Sequence, residues 1–437
     1  MDIRSRRPLS EVSAPRVELE VTAEGTTLSE SDKRRRIWTI YFIGFIDLFG
    51  VSMMIPFFPR IAANVGASLT AAGLIGSLYG ALQVVSSPVI GKLSDVYGRR
   101  NLLLLCYLAP CVGYFMMSRA DSVLLLVLSR ILPGILKHGQ SISKAYLTDI
   151  TSDKDRRSVL GLFNALSSLG FIFGPLLSGY LADIDPSLKL SILFGSVVFG
   201  SNLFIVLFFL PPLKTRYSSS DHSQEKLFSL RSIIDSLNIF KGLHVREMFD
   251  ILLVRFLLVF AVIMFRSNFP VLLDKHFHSD GSTLGKVLSF NGIISAISAA
   301  TCGYLSSFYS NPITQVTHFS ILLAISLILS TISTSILLLV LCLVPMALAT
   351  ANLRICMLSL LLQRGRENER GAIIGVGAAM ASLSRMIAPG IVGVAQEYGS
   401  EVVGYLCAGL TLVAVTILIG CFRSREIVSK DKTDKDR

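Results

Sequence analysis

The chain has 437 residues, 52% of them hydrophobic and only 16% charged, with a formal net charge of +11. A soluble domain carries about 25% charged residues, so this balance excludes a disordered chain, a nucleic-acid binder built on basic tails and an ordinary cytosolic enzyme. The apolar residues gather in runs near twenty, the length that crosses a hydrocarbon core of about 30 Å, which makes the chain a polytopic membrane protein.

In chain order, residues 1–36 read as a disordered cytosolic tail ending in Lys33-Arg34-Arg35-Arg36. Twelve spans follow, at roughly 37–58, 70–90, 101–119, 122–147, 158–182, 189–210, 249–272, 284–306, 315–334, 336–361, 372–396 and 402–422. They divide into an N-terminal six-helix bundle over 37–210 and a C-terminal one over 249–422. A cytosolic linker occupies 211–248 and a second cytosolic tail 423–437. In the linker, Leu227, Leu230, Ile234 and Leu237 recur at helical spacing. Two readings fit them equally: a helix lying on the membrane surface, or a linker helix packed on protein.

Charge placement sets the orientation. With the tails and alternate loops assigned to one side, 29 of the 41 Lys and Arg residues fall there and five fall opposite. The excess marks the cytosolic side, so both termini are expected in the cytosol. Seven bases lie within spans: Arg130, Lys137, Lys144, Arg255, Arg266, Arg354 and Arg385. The seven cysteines have no paired spacing, and no metal site or cofactor is expected.

The two halves repeat at an offset of 212–214 residues. Arg156, Gly161, Pro175 and Gly179 match Arg370, Gly375, Pro389 and Gly393, and residues 124–128 and 337–341 both read Leu-Leu-Leu-Val-Leu. Such a duplication predicts two bundles about a pseudo-two-fold axis with a substrate site between them.

The loop Gly91-Lys-Leu-Ser-Asp95-Val-Tyr-Gly98-Arg99-Arg100 resembles the signature loop of the major facilitator superfamily. Gly91 is expected to permit close helix approach and Gly98 a tight turn. Asp95 is expected to accept from a helix N-terminus or an arginine. Arg99 and Arg100 are placed to reach Asp149 or Asp153. The resemblance implies that this loop latches the halves when the carrier faces outward. Val96 stands where the family has a base. Ser307 and Ser310 stand where Asp95 and Gly98 would recur, so the second copy is not expected to latch. Asp47-Leu-Phe-Gly50 with Pro56 and Pro59 resembles the first-helix motif of tetracycline-type drug:proton antiporters. Gly161, Gly170, Gly174, Pro175 and Gly179 resemble the fifth-helix antiporter motif, in which the helix is thinned and bent. The resemblance implies the major facilitator fold, an all-α membrane protein of twelve transmembrane helices.

Asp47 is the one acid deep in a span, about ten residues or roughly 15 Å from the cytosolic edge. An unpaired charge there costs several kcal/mol, so Asp47 is protonated, paired with a base, or both in turn. Alternation suits proton coupling; permanent pairing would be structural. Arg130, Lys137 and Lys144, seven residues apart, share one face of a continuous helix, with Gly134 and Ser141 between them. The family's fourth-helix pattern implies a role for Arg130 in proton transfer. Lys137, Ser141, Arg266, Arg354 and Arg385 are candidate substrate contacts, Lys144 and Arg255 candidates for snorkelling to the interface, and His138 a packed polar side chain. Seven bases against one acid point to an anionic or zwitterionic substrate, or to a carrier whose bases are partly deprotonated by burial.

No phosphate-binding Gly-Lys-Ser/Thr loop appears in the cytosolic segments, and no zinc-protease or nucleophile-elbow motif. The sequence therefore reads as a secondary carrier of a small organic solute, anionic, zwitterionic or drug-like, in antiport with protons. It would be embedded in the bilayer, monomeric, and without nucleic-acid partners. A facilitative uniporter and a non-transporting regulator of the same fold are the alternatives.

Overall fold

The computed structural model describes residues 29–212, 245–309, 311–364 and 370–435. The linker stripe Leu227–Leu237 and Ser310 lie outside the described residues. Every described element is helical: α1 Glu30–Met54, α2 Phe58–Asn64, α3 Leu69–Tyr97, α4 Arg99–Ser118, α5 Val123–Leu136, α6 Gly139–Ile150, α7 Arg156–Ser168, α8 Gly170–Ile184, α9 Lys189–Phe209, α10 Val245–Phe277, α11 Gly281–Ser306, α12 Pro312–Thr331, α13 Ile336–Arg364, α14 Arg370–Tyr398 and α15 Ser400–Lys435. Helix is the form that satisfies every backbone group within one segment in lipid. Twelve stretches are long and apolar enough to cross a membrane, α5–α6 and α7–α8 each counting as one.

Local chemistry fixes the helix ends. Ser68, Ser122 and Asp280 each accept from the amide three residues on, at 3.1, 3.3 and 3.1 Å. Gly98, at φ 88°, makes the turn from α3 into α4. Helix α1 begins at Glu30, so residues expected in the tail are helical up to the edge of the span. Glu30 and Asp32 in its first turn complement the helix dipole.

The fourth span is not continuous, contrary to the sequence expectation. Pro133 has no amide to give to the preceding turn, and the helix ends at Leu136. Lys137 takes φ −78° and ψ 74°, His138 takes φ −118° and ψ 21°, and a new helix starts at Gly139. Gly139 lies flat on Tyr107, where a Cβ would stand 2.7 Å from the phenol oxygen. Arg130, Lys137 and Lys144 therefore do not share a face of one helix. The fifth span shows only a tightened turn at Leu169, whose amide bonds Leu166 O at 3.2 Å.

In the first half α1 packs on α7, α8 and α9, and α4 packs on α5 and α9. In the second, α10 packs on α14 and α15, and α12 on α13 and α15. Two antiparallel pairs join the halves: α3 with α14, and α8 with α11. The end of the bundle carrying the Gly98 turn is called inner here and the opposite end outer. Glycine makes the outer seam tight. A side chain at Gly73 would strike Pro389 O, one at Gly80 would meet Arg385 O at 2.9 Å, and one at Gly179 or Gly285 would strike Gly281 O or Pro175 O. Gly91, Gly161, Gly303 and Gly375 lie on the inner halves of the same four spans. Each sits eleven residues, about three turns, from a seam residue: Gly80, Ile172, Gly292 and Met386. All four have nothing within 4 Å of a built Cβ. The seam is closed at its outer end and parted at its inner end. The close approach expected at Gly91 is absent, since no neighbouring helix comes within 4 Å of a Cβ built there.

Candidate functional site

The break in the fourth span positions the buried charges. Lys137 Nζ donates to Asp47 Oδ1 at 2.6 Å, and the two side chains are 8% and 1% exposed. Gln140, on the first turn of α6, donates to Asp47 Oδ2 and to Gly44 O, both at 3.0 Å. Phe199 closes the site, its ring centroid 4.6 Å from the Lys137 ammonium. Both carboxylate oxygens are satisfied, as a buried anion requires.

A polar chain leaves this pair. The Lys137 carbonyl, freed by the break, accepts from Gln83 Nε2 at 3.3 Å, and that nitrogen also reaches Tyr79 Oη at 3.1 Å. His138 Nε2 meets Ser86 Oγ at 2.9 Å. Arg130 does not touch Asp47. Its guanidinium sits among three rings, 4.3 Å from the centroid of Phe58, 5.6 Å from Tyr114 and 5.9 Å from Tyr79. Tyr79 thus connects Arg130 to the Gln83–Lys137 chain. Gln140, Gln83 and Tyr79 were not foreseen; uncharged amides inside apolar spans were the available signal.

The remaining bases do not join this chain. Lys144 lies 5.9 Å from the Phe163 ring. The Ser141 hydroxyl is exposed. Arg255 packs against Gly377, where a Cβ would meet Nη2 at 2.6 Å, and its Nη1 has no partner. Arg266 and Arg354 are exposed although well inside α10 and α13, and neither pairs with an acid among the described residues. Arg385 bonds Ser382 Oγ at 2.9 Å.

At the inner end Arg99 is a hub. It pairs with Asp95 at 2.5 Å and with Asp149 at 3.0 Å, and also reaches Ser94 Oγ. Arg100 does not join it, contrary to expectation: it donates to Val206 O and Leu207 O at 3.4 and 2.7 Å, occupying carbonyls at the end of α9. Asp153 pairs with Arg156 on its own turn. The partners of Asp95, Arg99 and Arg100 all belong to their own half. In the second copy the Ser307 hydroxyl donates to Tyr304 O at 2.7 Å, within its own turn. Four glycine-motif positions pack tightly: Gly170 and Gly174 on α1 at Phe49 and Ser52, and Pro175 and Gly179 on α11.

The described residues thus form two helical bundles, joined at one end and parted at the other around buried charges, the layout of a polytopic membrane protein. The family model of the Major Facilitator Superfamily matches residues 40–389 and, overlapping, 251–437, and the chain belongs to that superfamily. It is 28% identical over 178 residues to the class H tetracycline resistance protein of Pasteurella multocida, covering 40% of this chain and 44% of that protein. It is 24% identical over 392 residues to human solute carrier family 67 member A1, covering 86% and 90%. Among solved structures, the human organic anion transporter MFSD10 (TETRAN) superposes with a TM-score of 0.60 at 22% identity, covering 88% of this chain and 99% of that one. The chain thus spans about half the length of the class H tetracycline resistance protein.

Proposed function

We propose that the chain is a secondary active carrier that exchanges a small organic anion or zwitterion for protons by alternating access. The observation that carries this reading is the Asp47–Lys137 pair, a deeply buried acid held by a base at a helix break. Exchange requires proton and cargo to compete: a zwitterion that splits the pair puts its cation on Asp47 and its anionic group on Lys137, and a proton on Asp47 takes the cation's partner away and displaces it. Arg130 serves the same transfer from its aromatic box, through Tyr79 and Gln83. Ser141, Arg266, Arg354 and Arg385 contact substrate. Likeness to an organic anion transporter supports the sign of the cargo. The loop Gly91, Asp95, Gly98, Arg99, Arg100 and Asp149 acts as latch when the inner seam closes.

The charge partition supports both termini in the cytosol, bundles at 37–210 and 249–422, and tails at 1–36 and 423–437 around the 211–248 linker. The carrier works as a monomer. Residues around Asp47, Lys137, Asp250 and Gln396 resemble the orphan animal carrier called major facilitator superfamily domain-containing protein 9, which implies no substrate. A uniporter of the same fold is the second reading, favoured by the full satisfaction of Asp47.

The test uses purified protein in proteoliposomes, with cargo first found by thermal-shift screening of anionic and zwitterionic metabolites. Cargo should dissipate an imposed pH gradient, and Asp47→Asn should abolish that. Counterflow that persists without a gradient in both proteins would leave only the uniporter.

A further inference from the structure

The outer seal is built twice from the same parts. At the start of α3, Ser68 takes the amide of Ala71 at 3.1 Å. The amide before it, Thr70 N, donates instead to Glu397 Oε1 at 3.1 Å, across the seam on α14, and the Thr70 hydroxyl follows at 3.2 Å. At the start of α11, Asp280 takes the amide of Thr283 at 3.1 Å. The amide before it, Ser282 N, donates to both oxygens of Asp183, across the seam on α8, at 3.2 Å. In each helix the local cap serves the third amide and leaves the second for an acid of the opposite half.

The duplication places these residues in register. Ser68 and Asp280 are 212 residues apart, as are Thr70 and Ser282, while Asp183 and Glu397 are 214 apart, the same offsets that relate the two bundles. Each acid stands four residues beyond a seam glycine, Gly179 or Gly393, so one helical turn separates the tightest backbone contact from the carboxylate. A carboxylate on the free amides of a helix N-terminus is favoured both by the hydrogen bond and by the helix dipole.

We propose that Asp183 and Glu397 are a matched pair of outer-gate locks, each gripping the end of a helix in the other half, which hold the inner-open state until both release. This rests on the alternating-access reading, though not on proton coupling or on any cargo. The two locks are unequal. Asp183 shares its helix end with the carboxylate of Asp280, whereas Glu397 shares its own with the neutral Ser68. Glu397 is therefore the stronger lock.

Hydrogen exchange by mass spectrometry on the full chain in nanodiscs tests this without substrate. In Glu397→Gln and Asp183→Asn, peptides over 69–76 and 281–288 should exchange faster, and peptides over 87–97 and 301–309 should exchange slower as the inner seam closes. Each single change should shift the ratio of the two states about two- to fivefold, Glu397→Gln more than Asp183→Asn, and the double variant by roughly the product. Glu397→Asp keeps the charge but withdraws the carboxylate by one methylene, and should behave like Glu397→Gln. Faster exchange at the outer peptides with no change at the inner ones would reduce the acids to local caps and overturn the proposal. Uniformly faster exchange, α12 included, would make them fold stabilisers and overturn it equally. Loss of pH-gradient dissipation with the exchange pattern intact would fault proton coupling and leave the locks standing.

Discussion

Lys137 and Asp47 are 90 residues apart in sequence and 2.6 Å apart in space, and Lys137 is the residue at which the fourth span breaks. Removing one partner of a buried pair leaves the other charge uncompensated, at about 3–5 kcal/mol. Lys137→Ala should therefore lower the unfolding temperature in detergent sharply. Adding Asp47→Asn, which removes the orphaned charge and keeps an acceptor for Gln140, should restore much of the loss. A double variant no more stable than Lys137→Ala would show that the pair contributes little beyond packing.

Much of this was legible in the sequence. Twelve spans follow from the length of apolar runs, and the two-bundle plan from the repeat. Asp47 stands out because a lone acid in an apolar span has no cheap explanation. Its partner was harder to read. Spacing by seven put Lys137 on a common face with Arg130 and Lys144, a deduction valid only for an unbroken helix. Pro133, Gly134 and Gly139 carried the warning, but proline and glycine are frequent in membrane helices. Arg100 illustrates a second limit: nothing in the signature loop tells a carboxylate partner from the carbonyl end of α9, because that helix approaches only in three dimensions.

Arg99 and Arg100 should separate under mutation. Arg99 holds Asp95 and Asp149 together with buried Ser94, and the two carboxylates are partly exposed, so Arg99→Ala should cost about 1–3 kcal/mol. Lysine should not rescue it, since one ammonium does not reproduce the guanidinium fork. Arg100→Ala removes only bonds to carbonyls at a helix end, about 0.3–1 kcal/mol. Equal losses in thermal unfolding would refute this ordering.

Asp280 gives a pH signature. Its bonds to Thr283 hold the carboxyl below its ordinary 3.8, against a desolvation that acts the other way, and Ser282 and the Lys286 charge add to the lowering. A depressed acid stabilises the fold fully above 3.8 and loses that contribution as pH falls through its folded value. Exchange at the Thr283 amide should accelerate on acidification below pH 4 relative to other helix-start amides. Asp280→Asn, a comparable cap, should abolish that acceleration, and Asp280→Ala should cost about 1 kcal/mol at neutral pH.

The seam glycines should divide into two classes with opposite signs. At Gly73, Gly285 and Gly393 a Cβ would strike or crowd backbone across the outer seam, so leucine there wedges the outer end apart and favours the outward-open state. At Gly91 and Gly375 a Cβ meets nothing within 4 Å, so leucine is accommodated in the present state. It obstructs only the closure of the inner end, and so traps the chain inward-open. Transport needs both states and should fail in both classes, so activity alone does not separate them. Alkylation of single cysteines does: a reporter at Ser77 should become reactive in Gly393→Leu and stay protected in Gly375→Leu, while a reporter at Ser306 should show the reverse. Identical patterns in the two variants would mean that the parted inner end is not a state the protein visits in exchange for the outer one.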